Sequence, residues 1–380
     1  MPRIGLEISD IGLMAVGGTP PAPLHVDQER PESPGIALQT RKELLVGWAA
    51  QRQARLYPRQ RTNRFWSLLS TEPLQERTLA AQNYAELAYA HLALITQAIR
   101  RPESGWVIAV PEFLDPGKLG ILLGVARALD MSVEGFVAGA VAAVRPVQDD
   151  GPVIHVDVHA HRLEVTLLTQ SERLAQARTY PVTDQGWDRL VDQVAQRISD
   201  EFVQSTRFDP LHEAEAEQAL FNQIPGLLPK ISDGQPVPLE LKLGRSSYRI
   251  TVSERMLADA LFSLHRSVLD CLRQVRDGLA DGTAGVEIQL SHRAGRVPGL
   301  LAAVRSLQGV EACLLPPGAG AMGALEMADD IAGASGPHGA TYVTSRDRAV
   351  SAGAPAIRAR CPASPLQDCP THVLCGDRAL

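Results

Sequence analysis

Two segments of the chain have the same pattern of an apolar stretch, a short polar turn and a second apolar stretch. The first covers residues 4–16, with Ser9 and Asp10 in its turn, and the second is the sequence GPVIHVDVHAHRLEVTLLTQ at residues 151–170. Apolar runs of this length on both sides of a polar turn predict a β-hairpin. Helical patterns follow each predicted hairpin, so the two halves of the chain share a weak internal symmetry.

The first half contains further predicted strands and helices. Asp115 followed by Pro116 is typical of a helix start, because the carboxylate can cap free N–H groups and proline fits the first turn. The apolar spacing over residues 73–100 predicts one amphipathic helix. Other strands are predicted at IALQ, ELLVG, GWVIAVPEF and MSVEGF, and other helices at WAAQRQARLYP, residues 116–129 and VAGAVAAV.

The second half continues with the same mixture. Helices are predicted at DQGWDRLVDQVAQRISDEFV, EAEAEQALFNQI, residues 256–279 and GAGAMGALEMADDI, a hairpin at PVPLELKLGRSSYRITVS, and a strand, turn and helix at GVEIQLSHRAGRVPGLLAAVRSL. Beyond residue 332 the chain becomes rich in Gly, Ala, Pro and Ser, which favours a flexible tail. Its last residues, THVLCGDRAL, are a candidate for one docking strand.

Length and composition indicate a globular protein with more than one core. A chain of 380 residues with 45% hydrophobic residues predicts two lobes with connecting segments. The net charge is −6 with both signs interspersed, which argues against nucleic-acid binding. No apolar run reaches membrane-spanning length, and the N-terminus does not have the pattern of a secretory signal, so we expect a cytoplasmic protein without a membrane span.

The turn of the second predicted hairpin contains no glycine. Strand–turn–strand segments often hold nucleotide phosphates, because the N–H groups of a glycine-rich turn can approach the anion closely. Here the turn carries His159, Ala160, His161 and Arg162. Side chains are therefore expected to fill the space that a phosphate would need.

Four segments of the chain resemble a known family in their order and spacing. They are ELLVGWAAQRQARLYP, WVIAVPEFLDPGKLGILLGVARALDM, GRVPGLLAAVRSL and GAMGAL. Together they resemble the nucleotide-binding domain of the heat-shock protein 70 (DnaK-type) chaperones, within the actin and sugar-kinase superfamily. The resemblance covers roughly residues 3–331.

This resemblance implies an α/β, two-lobed, actin-like ATPase fold in which each lobe is a ribonuclease H-like mixed sheet flanked by helices. Residues 1–150 would form the first lobe and residues 151–317 the second. Residues 318–331 would be a helix that returns to the first lobe, and residues 332–380 a tail. We expect the family's peptide-binding domain to be absent, because fewer than fifty residues follow the last predicted helix.

The resemblance also implies where a nucleotide cleft would lie. The family's DxGTT turn is matched by residues 7–11, its DLGGGTxD turn by residues 157–164 and its GGxxRIP motif by residues 292–298. The remnant cleft residues are then Glu7, Ser9, Asp10, Asp157, His159, Arg162, Arg296 and Gly323. The carboxylates and the arginine remain, while all three glycines of the second turn are replaced.

Other family positions carry residues that cannot do phosphate chemistry. The catalytic lysine is matched by Trp66, and a glutamate by Phe136 or Val137. Leu220 and Phe221 replace a basic pair on the helix that would clamp adenine. Each charge-assisted hydrogen bond is worth roughly 1.5–3 kcal/mol, so losing two or three weakens phosphate binding by about two to five orders of magnitude.

The function predicted from these departures is that of a pseudo-ATPase, with no catalytic residues and no expected cofactor. It would act through protein–protein interaction in a chaperone-associated or regulatory role, with an intact chaperone or its clients as candidate partners. One alternative is an active ATP-dependent chaperone that binds ATP or ADP with magnesium. A second alternative is an actin-like assembly or scaffold protein.

Two metal hypotheses also follow from the sequence. His155, Asp157, His159 and His161 alternate, so on a continuous strand they would share one face and could hold zinc; the turn expected at residues 159–162 argues against this. Glu7 and Asp157 could face each other and hold a hydrated magnesium ion. The competing interpretation pairs these carboxylates with Arg162 or Arg296.

Overall fold

The computed structural model describes residues 2–40, 43–74, 80–101, 103–145, 151–183, 185–232, 234–279, 285–334 and 340–347. The strands are β1 (Arg3–Glu7), β2 (Gly12–Gly17), β3 (Ala22–Pro23), β4 (Glu32–Pro34), β5 (Ala37–Gln39), β6 (Leu44–Val46), β7 (Arg61–Thr62), β8 (Gly105–Val110), β9 (Ser132–Ala138), β10 (Val153–Val158), β11 (Leu163–Gln170), β12 (Arg173–Val182), β13 (Val237–Leu243), β14 (Ser246–Val252), β15 (Val286–Leu290), β16 (Val310–Leu314), β17 (Thr341–Val343) and β18 (Ser345–Asp347). The helices are α1 (Gly47–Gln51), α2 (Tyr84–Ile99), α3 (Pro116–Ala128), α4 (Gly139–Ala143), α5 (Trp187–Thr206), α6 (Ala214–Ser232), α7 (Glu254–Asp277), α8 (His292–Gly295), α9 (Leu300–Arg305), α10 (Ala319–Glu326) and α11 (Ala328–Ala334). The protein is therefore of the mixed α/β class, as the sequence predicts.

Two large sheets have the same internal strand order. The first runs β17-β9-β8-β1-β2-β3, with β4 also on β2, and the second runs β16-β15-β10-β11-β12-β18. In each sheet the first strand of a hairpin is central, with parallel strands on one side and antiparallel strands on the other. The weak symmetry seen in the sequence is thus a repeated strand topology.

The two hairpins with polar turns are confirmed, as is the hairpin of β13 and β14. Strands β1 and β2 pair antiparallel with Ile4 opposite Gly17, and β10 and β11 pair antiparallel with Val153 opposite Leu168. Whereas apolar residues alternate with His155 and Asp157 in β10, β2 and β8 carry no polar side chain and are buried throughout. Such a strand gives a continuous apolar run, which is the signal that the sequence carried.

The predicted helix starts and ends agree with the structure to different degrees. Asp115 caps α3 by accepting the Lys118 N–H at 3.1 Å, as predicted. The helix predicted over residues 73–100 begins only at Tyr84, after the N-cap Asn83. The helix predicted at WAAQRQARLYP ends at Gln51, and turns follow it. Tertiary contacts hold these turns, since the backbone N–H of Arg55 donates to Gln218 Oε1 at 2.7 Å.

Several strands had no clear signal in the sequence. The third strand of the second sheet, β12, is mostly polar and half-exposed, and edge strand β16 is short. Within the tail predicted from residue 332, the structure differs from the sequence expectation, because α11 extends to residue 334 and β17 and β18 follow. The rest of that tail, including THVLCGDRAL, and the predicted lobe boundary at residues 146–150 lie outside the described residues.

Small residues let α10 pack against its neighbours at backbone distance. A Cβ atom on Gly323 would lie 1.8 Å from the carbonyl oxygen of Ala142 in α4, and one on Gly5 would lie 1.9 Å from that of Ala321. Only glycine allows so close an approach. The predicted helix at residues 318–331 is divided at Met327 into α10 and α11. In the described part of the chain no helix has the length and apolarity needed to cross a membrane.

Candidate functional site

The turns of the two hairpins contact each other directly. Ser9 Oγ lies 3.2 Å from His159 Nδ1, and the backbone N–H of Ala160 donates to Asp10 Oδ1 at 2.7 Å. The second turn is closed by a hydrogen bond from the His159 N–H to the Arg162 carbonyl at 2.9 Å. Residues predicted from both turns therefore meet in one site.

His159 is buried among carboxylates from both hairpins. Its Nε2 lies 3.3 Å from Glu164 Oε2 and 3.7 Å from Asp157 Oδ2, and its Nδ1 lies 3.7 Å from Asp10 Oδ1. Burial by itself lowers the pKa of a histidine, but the carboxylates, chiefly Glu164 and Asp157, outweigh burial and raise the pKa of His159 to about 9. The ring is therefore an imidazolium at neutral pH.

Asp10 places a carboxylate where the second turn presents its backbone N–H. The side chain is buried, and its Oδ2 accepts no hydrogen bond from the described residues. Burial raises the pKa of Asp10, while His159 and the Ala160 N–H oppose that rise. The protein thus supplies its own acidic group at a position where an anion-binding turn would receive a ligand.

Arg293 lies at the centre of the network and is 1% exposed. Its guanidinium contacts Glu7 Oε1 at 2.5 Å and Asp157 Oδ2 at 3.3 Å. Burial opposes the charge of Arg293, but Glu7 and Asp157 outweigh it and raise the pKa. Burial likewise opposes ionisation of Asp157, yet Arg293 and His159 hold its pKa below the usual range. This is a buried, mutually compensated ion network.

Short polar contacts fix both carboxylates. Ser291 Oγ donates to Asp157 Oδ1 at 2.5 Å and also accepts the Ala294 N–H at the start of α8. Glu7 Oε2 accepts the Gly320 N–H at 3.0 Å, at the start of α10. A Cβ atom on Gly320 would lie 2.9 Å from the Glu7 carboxylate, so the small residue makes this contact possible.

The side chains of the remaining predicted residues do not pair with the carboxylates of the network. Arg296 pairs with Glu32, and the Arg162 guanidinium lies 5.2 Å from the centre of the Phe113 ring. Neither pairs with Glu7 or Asp157, so that interpretation was wrong in its choice of arginine. Gly323 belongs to the seam between α10 and α4 and does not face the turns.

The residues matched to the family's lysine and glutamate are core residues. Trp66 is fully buried and donates Nε1–H to His91 Nδ1 at 3.1 Å. Phe136 and Val137 are buried in β9. These side chains pack the first sheet and carry no reactive group.

The carboxylates that the sequence suggested for a magnesium ion have partners within the protein. The carboxylates that could hold a hydrated ion, Glu7 and Asp157, are bound to Arg293, and one turn N–H already donates to Asp10. Among the described residues, no group of three His, Cys, Asp or Glu side chains is placed to hold a metal ion. The zinc hypothesis on the alternating histidines therefore finds no support there.

A cavity adjoins the turns, and we call it the side cavity. Its empty volume of about 930 Å³ includes open solvent, and it extends from Asp10 and Ala160 to Arg61 and Asp188. Of the pair Leu220 and Phe221, the first is buried in the core, and the second lines the side cavity. The side cavity is also lined by Ile11, Glu32, Pro34, Gly35, Ile36, Trp48, Gln51, Ala54, Arg55, Asn63, Trp187, Val191, Asn222, Pro225 and Arg296.

Sequence reasoning missed the residues that complete the network. These are Arg293, Ser291, Glu164 and Gly320. Arg293 belongs to SHRAGRVP, a segment matched to the family, but the match drew attention to Arg296 alone. A buried arginine has no periodic signature, and a partner more than 280 positions away in the chain cannot be seen from spacing.

Comparisons with known proteins do not assign a family to this chain. The chain matches none of the protein-family models and none of the curated proteins with which it was compared. The argument about function therefore rests on the two sheets, their turns and the charges between them.

Proposed function

We propose that this protein has the actin-like fold of the heat-shock protein 70 nucleotide-binding domain and is a pseudo-ATPase. The repeated strand order supports this, because each large sheet carries a central hairpin followed by parallel strands, as in a ribonuclease H-like lobe. The contact between the two turns supports it further. In such a fold the turns face each other at the bottom of the cleft.

The observation that carries the proposal is the internal neutralisation of the site. Arg293 binds the two carboxylates that would serve magnesium, and Asp10 accepts a turn N–H that would serve phosphate. His159 is surrounded by Asp10, Asp157 and Glu164. Each charge with which a nucleotide could pair here already has a partner within the protein.

A comparison of free energies indicates that nucleotide binding would be lost rather than only weakened. Removing one partner from a buried ion pair costs about 3–5 kcal/mol. A dissociation constant of about 1 mM corresponds to only about 4 kcal/mol of binding free energy. Opening the network to admit phosphates would therefore consume the free energy that millimolar ATP could supply.

A protein with this site would work through its surfaces. Phosphoryl transfer depends on positioned cations and on a base or water-orienting group, and here the cations Arg293 and His159 are already paired with the carboxylates Glu7, Asp157 and Glu164. We therefore propose a chaperone-associated or regulatory role through protein–protein interaction. Its partners would be proteins, with an intact chaperone or the clients of one as the candidates.

The test is nucleotide-dependent stabilisation. Thermal unfolding of the full chain would be measured with and without millimolar ATP and magnesium, and an intact heat-shock protein 70 nucleotide-binding domain would be the positive control. We expect no change in Tm and no phosphate release above background, because a ligand that does not bind the native state cannot stabilise it.

Two results would favour the alternatives. Magnesium-dependent stabilisation by ATP that disappears in Asp157→Asn would overturn the proposal and favour an active chaperone. Concentration-dependent polymers in sedimentation would instead favour an actin-like assembly protein. A monomer whose stability does not change with nucleotide fits neither alternative.

A further inference from the structure

One segment in the first half of the chain concentrates positive charge. Between Glu43 and Glu72 there is no acidic residue, and the stretch from residue 52 to residue 64 contains five arginines. The whole chain has a net charge of −6, so the rest of the molecule is more acidic than that value indicates. A local excess of positive charge on such a molecule attracts anionic partners to one place.

Two of these five arginines are used within the protein. Arg55 is paired with Asp192 at 2.6 Å and with Glu217 at 3.3 Å. Arg61 is half-buried; burial and the neighbouring Arg55 lower its pKa, and the carboxylates of Asp188, Asp192 and Glu217 oppose that change. These two arginines therefore face acidic groups of the same chain and do not serve a partner.

The other three arginines, Arg52, Arg59 and Arg64, are exposed. Their side chains make no ion pair and no hydrogen bond with any residue that the structure describes. A guanidinium presents five N–H donors in a planar fork that matches the two oxygens of a carboxylate. These three side chains can therefore bind acidic groups of another molecule without breaking a contact within the described protein.

Two exposed apolar side chains lie in the same segment. Tyr57 is 44% exposed and Leu68 is 45% exposed. The Leu68 N–H donates to the Arg64 carbonyl at 2.8 Å, so these two residues lie one helical turn apart and share a face. We call Arg52, Tyr57, Arg59, Arg64 and Leu68 the arginine surface. It combines three unpaired cations with apolar contact area.

The backbone that carries the arginine surface is held by hydrogen bonds. The Gln60 N–H donates to the Tyr57 carbonyl at 3.0 Å and closes a turn. Gln218 of α6 accepts the Arg55 N–H at 2.7 Å and donates to the Gln51 carbonyl at 3.1 Å. A surface fixed in this way loses less conformational entropy on binding than a flexible loop would.

We propose that the arginine surface binds a short acidic segment of a partner protein. The Asp or Glu side chains of that segment would pair with Arg52, Arg59 and Arg64, and an apolar side chain would pack against Tyr57 or Leu68. A long polyanion would also lie against the acidic remainder of the molecule, where it is repelled, whereas a short segment would contact the arginine surface alone. The inference goes beyond the proposed function, because it does not depend on what the two turns can bind.

Fluorescence anisotropy with the full chain, in the absence of nucleotide, tests this surface. The probes are two labelled peptides of equal length, one composed of Glu and Leu and the other with Gln in place of every Glu. At physiological ionic strength we expect the acidic peptide to bind about tenfold more tightly, since several exposed ion pairs together supply a factor of that size. Added salt should weaken its binding, because exposed charges are screened.

A triple variant locates the site. Arg52→Gln, Arg59→Gln and Arg64→Gln, combined in one chain, should remove the preference for the acidic peptide and so reduce its affinity about tenfold. All three side chains are exposed, so the variant should fold, and unchanged circular dichroism and Tm would show this. Leu68→Ala alone should weaken both peptides, because the apolar contact does not depend on charge.

The matched control changes the net charge equally at other places. It combines Arg127→Gln, Arg207→Gln and Arg255→Gln, which are exposed positions outside the arginine segment. This control should bind the acidic peptide as the wild type does. The difference between the two triple variants thus separates a defined surface from a general effect of net charge.

Three outcomes would overturn the inference. The first is that the acidic peptide does not bind, or binds no more tightly than the neutral peptide. The second is an equal loss of affinity in both triple variants. The third is tighter binding of a duplex DNA oligonucleotide or of phosphatidylserine vesicles than of the acidic peptide, which would assign the surface to such a polyanion. All three leave the pseudo-ATPase proposal standing, since no nucleotide takes part.

Discussion

At the scale of single residues, buried charges from distant parts of the chain pair with one another. Arg293, Glu7 and Asp157 come from three separate segments, and the one guanidinium pairs with both carboxylates in the interior. Buried ion pairs of this kind add little net stability compared with an apolar core, but breaking one is costly. The network therefore acts as a constraint that holds three segments in one arrangement.

Arg293→Met should destabilise the protein by about 3–5 kcal/mol, because it leaves two buried carboxylates without their cation. Urea unfolding would measure the loss. Arg266→Met is the matched control: that side chain is 70% exposed in its pair with Asp270, and its removal should cost less than about 1 kcal/mol. Equal costs for the two variants would contradict the arrangement described for Arg293.

Because His159 is charged in the folded protein, we expect the free energy of unfolding to fall as the pH rises. Its folded-state pKa of about 9 lies above the ordinary value of 6.5. The resulting stabilisation is complete below pH 6.5 and is lost as the pH rises to about 9, because the unfolded state then releases a proton that the folded state retains. At 1.36 kcal/mol per pKa unit, the loss is on the order of 3 kcal/mol.

The measurement is the unfolding free energy of wild type and His159→Gln between pH 6 and pH 9.5. The difference between the two proteins removes the contributions of titrating groups that they share. We expect the advantage of the wild type to shrink as the pH rises. A difference independent of pH, or one that grows, would show that His159 is not protonated in the folded protein.

At the scale of elements, helix α10 is positioned by residues that lack side chains. Gly5 and Gly323 allow contact with the backbone on two sides of the helix, and Glu7 accepts N–H groups at its start. A carboxylate at a helix N-terminus satisfies free donors and interacts favourably with the helix dipole. The helix thus connects the charge network to the first sheet.

Gly323→Ala should destabilise the protein by about 2 kcal/mol or more, because the added carbon would collide with the backbone of α4. Gly124→Ala in α3 is the control, since that position is exposed and nothing lies within 4 Å of the added atom. There the substitution should stabilise by up to about 1 kcal/mol through helix propensity. Thermal unfolding would measure the change in stability of each variant. If both substitutions stabilise or both destabilise the protein, the close packing of α10 on α4 is contradicted.

At the scale of the whole molecule, one short segment joins the two large sheets. Strand β17 pairs parallel with β9 of the first sheet, and β18 pairs antiparallel with β12 of the second. Arg346 in β18 is buried, and its guanidinium donates to the carbonyl of Val144. The segment covers an edge of each sheet and so restricts the motion of one relative to the other.

Arg346→Ala should loosen this connection. We expect the backbone amides of residues 173–175 and 135–137 to exchange with deuterium about tenfold to a hundredfold faster, as the loss of a buried hydrogen bond and its neighbours allows local opening. Arg173→Ala is the control, because that side chain is 54% exposed in its pair with Asp347. Faster exchange at residues 173–175 alone would mean that β17 is held independently of β18.

The sequence by itself determined the elements whose signals are local. Both hairpins, the cap of α3 at Asp115 and the long helix α7 follow from apolar periodicity and from residues at their ends. The absence of glycine from the second turn was also visible, and it indicated that side chains fill the site. These features depend on neighbours within a few positions.

Only the tertiary structure decided which charges meet and which edges are covered. The pairing of Arg293 with Glu7, the protonation of His159 and the placement of β17 and β18 on two sheets depend on residues far apart in the chain. Burial sets the strength of a charge interaction, and burial is a property of the packed molecule. The pattern of side chains therefore predicted the hairpins, while the packing of the two sheets determined how their turns are neutralised.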